Sequence, residues 1–138
     1  MPLDLPGMTG TMDVKVRDAS GAETQFIQVG QSFTIELDWT INGAAVALGD
    51  PANQWHVRGR LESVGPPAFE RQLAQEFVTN FVPTPGHAYT ASITPTGAAD
   101  QPGEGVYELA VLLDLRRPNG TRLPARGFQD GIQLDFFS

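Results

Sequence analysis

From Phe33 to Ile41 the chain alternates strictly. Phe33, Ile35, Leu37, Trp39 and Ile41 fall on one side, and Thr34, Glu36, Asp38 and Thr40 on the other. That period of two predicts a half-buried strand with a wet outer face. A slip of one residue would expose the whole apolar row, so the register is strongly specified. Val106 to Leu115 is the most apolar stretch. Tyr107, Leu109, Val111, Leu113 and Leu115 line one face, while Ala110 and Leu112 make the other nearly apolar as well. This predicts a central strand.

Shorter segments carry the same signal. Met12 to Arg17 and Thr24 to Val29 read as strands near the N-terminus, Tyr89 to Ile93 as one in the middle, and Phe128 to Phe137 as the last. In Trp55 to Val64, Trp55, Val57 and Leu61 point in, and His56, Arg58, Arg60 and Glu62 point out. Gly59 falls on the inner side, which marks a bulge or a close approach of backbone. Phe69, Leu73, Phe77 and Phe81 recur every fourth residue. The stretch 68–76 therefore reads either as one short helix or as an edge strand. Segments 44–54, 96–105 and 116–127 read as loops.

The chain carries 15 glycines and 11 prolines at short intervals, which punctuate many short strands. The prediction is an all-β, antiparallel β-sandwich of seven to eight strands spanning residues 12–138, preceded by an N-terminal arm over 1–11. A chain of 138 residues fits one domain.

The stretch Gly30-Gln31-Ser32-Phe33-Thr34-Ile35-Glu36-Leu37 resembles strand B of immunoglobulin-like domains, with Leu37 where the first cysteine often stands. Gly105-Val106-Tyr107-Glu108-Leu109 resembles the tyrosine corner leading into strand F, with Leu109 in place of the second cysteine. Trp55 is placed like the core tryptophan of strand C. The resemblance covers about residues 12–137 and implies an immunoglobulin-like sandwich in which Leu37 and Leu109 meet where a disulfide would lie. It implies no function, because this fold hosts many.

Chemistry narrows the field further. The net charge of −7 disfavours nucleic acid as a partner. No run approaches the roughly 20 apolar residues of a membrane span. The chain has no cysteine, which favours a reducing compartment or an export route without oxidative folding. The N-terminal residues do not read as a signal peptide. A cytoplasmic location, or a particle released without Sec export, is the expectation. His56 and His87 lack metal-ligand spacing, and Asp100 with Glu104 lacks the carboxylate density of a calcium loop. No nucleophile elbow or phosphate-binding glycine motif occurs. The expectation is no enzyme, no metal and no cofactor. Asn119-Gly120-Thr121 matches a glycosylation sequon but reads as a turn.

One feature stands out. Arg116, Arg117, Arg122 and Arg126 cluster within an otherwise acidic chain, in the predicted 116–127 loop. Antiparallel pairing brings His56 and Arg58 towards Arg116. Two readings compete: the arginines dock on an acidic protein surface, or they pair internally with Asp50, Asp114 or Asp130. The expected function is a non-enzymatic structural or protein-interaction module, a subunit of a larger bacterial or viral assembly, with a protein partner or self-association. The alternative is a small carbohydrate- or ligand-binding module that uses Trp39 or Trp55 as a stacking platform.

Overall fold

A computed structural model describes residues 8–65, 69–95 and 102–138. Strands β1 (Thr9–Arg17), β2 (Phe26–Gln28) and β3 (Thr34–Asn42) are followed by a 3-10 turn (Ala44–Leu48). Then come β4 (Gln54–Ser63), β5 (Glu70–Gln72), β6 (Phe77–Asn80), β7 (Ala88–Ile93), β8 (Gly105–Arg116) and β9 (Arg122–Phe137). They form a three-stranded sheet, β1-β3-β7, packed on a six-stranded sheet, β2-β9-β8-β4-β5, in which β6 also pairs with β4. This is an immunoglobulin-like β-sandwich, with nine strands among the described residues rather than seven or eight. It is not wholly antiparallel, because β2 runs parallel to β9. β1 begins at Thr9, and residues 1–7 of the expected arm lie outside the described residues.

The alternation read from sequence is the core. Leu37 and Leu109 are fully enclosed between the sheets. Trp39 stacks on Tyr89 with ring centroids 5.0 Å apart, and Trp55 packs edge-on against both. Tyr107 completes the corner motif, its hydroxyl donating to the Gly103 carbonyl at 2.9 Å. Burial without full solvation pushes its phenol above the ordinary value.

The stretch around 68–76 contains no helix among its described residues. β5 pairs with the Arg60–Glu62 half of β4, and β6 with its Gln54–Val57 half. Between them the Leu73 N–H donates to the Gly59 carbonyl at 2.9 Å, and its side chain is buried. A Cβ on Gly59 would lie 2.9 Å from Leu73 Cδ1, so the glycine leaves the notch this leucine fills. The four-residue spacing thus records two edge strands and one inward anchor.

The largest correction concerns 116–127. Most of it is strand, because β9 starts at Arg122 and the connection is only the short turn from Arg117 to Thr121. The Asn119 side-chain oxygen accepts from the Thr121 N–H at 3.0 Å, which fixes that turn. Two irregularities let so long a strand carry turn-forming residues. One lies opposite Asp114 to Arg116, and Pro124 falls within it, outside the paired register. The other lies opposite Leu109 to Val111, where Gly131 takes φ of +71°.

Candidate functional site

β8 lies in the middle of the six-stranded sheet, and no element among the described residues covers the sheet's outer side. Leu112, expected to be covered as on a central strand buried on both faces, is therefore only half-buried. Phe128 stands beside it in register and is 46% exposed. Two strands away Val78 stands opposite His56, also partly exposed. An apolar pair, Leu112 and Phe128, thus stands on an otherwise charged face, with Arg58 beside it in the same row.

At one end of this face lies Asp114, the only charged side chain buried among the described residues, at 7% exposure. Period two sends it outward, so what encloses it is other side chains. Arg116, two residues on, donates Nε to Oδ1 at 2.7 Å and Nη2 to Oδ2 at 3.4 Å. That two-bond fork matches the carboxylate geometry. Arg58 Nη2 donates to Oδ2 at 3.3 Å from β4, and Arg122 Nε lies 3.7 Å from the same oxygen from β9. The hydrogen bond that Arg116 donates to Asp114 holds its guanidinium charged to higher pH than usual. Arg58 Nε is buried and has no hydrogen-bond partner among the described residues.

His56 and Arg126 flank Asp114 in register on either side. His56 Nδ1 sits 2.6 Å from Glu76 Oε1. Of the six residues singled out from sequence, then, five converge around Asp114: His56, Arg58, Arg116, Arg122 and Arg126. Arg117 stays in the exposed turn, where its backbone closes the hairpin onto Thr121. Of the three acids considered as internal partners, Asp114 is the one that collects the arginines. Sequence reading missed Glu76, Phe128 and Val78. Alternation gave no signal for Phe128, which shares the even-numbered side of Leu134 and Phe136; the irregularity at Gly131 turns it outward.

The opposite end of the same face is acidic. Glu70, Glu62 and Glu108 stand side by side across β5, β4 and β8. A shallow groove of about 270 Å³ runs between these acids and Phe128, with Asp130 on its rim. Arg60 pairs with Glu70.

Other surfaces carry less. A wider hollow of about 580 Å³ lies on the three-stranded sheet, with Thr11, Asp13, Asp38 and Thr90 among the residues that line it. Trp39 and Trp55 are 1% and 0% exposed, so neither ring offers a face to a sugar. Among the described residues no group of three or more His, Cys, Asp or Glu is placed to hold a metal ion, and Asp100 lies outside them. No helix there is long and apolar enough to cross a membrane.

The chain matches no protein-family model, and no curated protein matches it by sequence. Solved structures do resemble it. A β-glucosidase from Listeria innocua in complex with isofagomine superposes with a TM-score of 0.53 at 12% identity, covering 94% of this chain. This chain spans only 16% of that enzyme's length. The CARDB domain of a Pyrococcus furiosus protein, solved with di-metal ions, superposes with a TM-score of 0.50 at 11% identity. That match covers 93% of this chain and 94% of the other. At such identities the likeness is one of fold, and the fold these comparisons support is the two-sheet β-sandwich described above.

Proposed function

We propose that this chain is a non-enzymatic protein-interaction module that docks through the outer face of its six-stranded sheet, as one component of a larger assembly. The observation that carries this reading is the uncovered pair of Leu112 and Phe128 beside the enclosed Asp114 cluster. An apolar centre with a charged rim is the anatomy of a docking surface. Arginine and large aromatic side chains are also the residues over-represented where binding energy concentrates.

A catalytic role fits the cluster poorly. Both Asp114 oxygens already accept from guanidinium groups, so the carboxylate is not presented to a substrate as a base. The CARDB match, which spans nearly all of that domain, supports reading this chain as one domain-sized module. The carbohydrate alternative loses its platform, because both tryptophans are core residues.

The test is site-specific photocrosslinking in the native source. A photoreactive residue replaces Phe128 in one variant and Thr90, on the opposite face, in another. The expected result is a discrete protein adduct from position 128 and none from position 90. Adducts from neither position, or equally from both, overturn the reading.

A further inference from the structure

Each end of the six-stranded sheet's outer face carries a like-charge row that the fold leaves incompletely neutralised. At one end Arg116 stands directly opposite Arg122, with Arg126 one row further along. At the other, Glu62 stands directly opposite Glu108, with Glu70 on the next strand. Like charges directly opposite each other in a sheet are destabilising. Asp114 relieves the first row and Arg60 the second, but only in part: Arg122 remains 62% exposed, and Glu62 and Glu108 are exposed. Glu108 and Arg116 are eight residues apart on β8, roughly 26 Å along a strand. Between the two rows lie Leu112 and Phe128.

We propose that the occupant of this face is a second copy of this chain. The two faces meet about a two-fold axis that lies in the interface and crosses the strands near Leu112 and Phe128. This deepens the docking reading above and rests on it. Such a rotation reverses strand direction, so the basic end of each copy lies over the acidic end of the other. It also sets Leu112 against Leu112 and Phe128 against Phe128 on the axis, with Arg58 in the same row held by Asp114. The surface is thus complementary to itself, as an isologous contact requires. Arg122 and Arg126 come over the Asp130 and Asp135 end and Arg116 over Glu108, so the partly relieved rows meet opposite charge along β8 and β9. Four strands by about nine residues give roughly 600 Å² per copy. That is below the roughly 800 Å² per partner of a standard interface, so the dimer is weak, with a dissociation constant on the order of micromolar.

Sedimentation equilibrium on the purified full chain, carried to millimolar concentration, tests this with two charge-reversed variants. Arg122→Glu with Arg126→Glu sets acid over acid along β9 in a homodimer, and Asp130→Arg with Asp135→Arg sets base over base there. Each variant alone is expected to dimerise about tenfold or more weakly than the parent. Mixed in equal amounts they are expected to form a heterodimer at least as tight as the parent dimer. That recovery cannot come from misfolded chains. A parent that stays monomeric throughout, or variants that do not recover on mixing, overturns the proposal. If the Phe128 photocrosslinker then still captures a different protein, the docking reading survives alone. If it captures nothing, both fall.

Discussion

On the three-stranded sheet, Arg17 reaches Glu36 at 3.2 Å and Lys15 lies 3.8 Å from Asp13, and all four side chains keep a quarter or more of their surface in water. On the six-stranded sheet, Asp114 keeps about a tenth, beneath three guanidinium groups. Both faces are the outward half of the same period-two pattern. The difference teaches that alternation decides which side a charge takes but not whether water reaches it. An exposed pair gains little from its partner, because water already solvates both members. An enclosed carboxylate depends on its partners, and so marks where the surface has been built rather than merely tolerated.

The largest contrast should come from neutralising one acid on each face. Asp114→Asn leaves enclosed guanidinium groups without their anion and is expected to cost about 2–3 kcal/mol in urea unfolding. Glu36→Gln is expected to cost about 0.5 kcal/mol or less. Equal costs would erase the distinction between the faces.

Tyr107→Phe probes what anchors the acidic end. Loss of the bond to Gly103 is expected to cost about 1 kcal/mol near neutral pH. The phenol's raised pKa has a definite sign. Its contribution is full below the ordinary value of 10.0 and is lost as pH rises through the higher folded value. The variant should lack that alkaline loss in a pH series of thermal melts, and an unchanged series would count against the buried corner.

A smaller effect is expected from Asp13→Asn, which removes the repulsion with Asp38 directly opposite. A gain of a few tenths of a kcal/mol, about 0.3, is the expectation on this wet face. The smallest is local. The Ser20 hydroxyl bonded to Asp18 at 2.6 Å holds that carboxyl below its ordinary pKa. Asp18 favours the folded state above that ordinary value, and this is lost as pH falls through the lower folded one. Ser20→Ala should move the Asp18 titration upward in an NMR series with little change in global stability.

Much of the fold was legible. The rows 33–41 and 107–115 bury every odd-numbered side chain, as their alternation implied. The tyrosine corner and the strand C tryptophan stand where the resemblance put them. Two features were not legible, each for a physical reason. The spacing from Phe69 to Phe81 mimics a helix because Leu73 turns into a notch made by a glycine fourteen residues earlier in the chain, a contact invisible to periodicity. The 116–127 stretch looks like a loop because it contains the turn pair Asn119-Gly120, whereas irregular pairing with β8 carries Pro124 within a strand. For the candidate site, its arginines were visible as a cluster. Their convergence on Asp114 was not, because it needs β4, β8 and β9 side by side.

Sequence alone determined the sandwich, the contents of its core and the outward placement of its charges, because period two is a local property of extended chain. Only tertiary structure decided that three arginines from three strands close over one aspartate. Only it left Leu112 and Phe128 without a covering layer among the described residues and put a basic row and an acidic row at opposite ends of one face. Those outcomes depend on which strands become neighbours and in what register, and cross-strand distances are set by the assembled sheet rather than by separation along the chain.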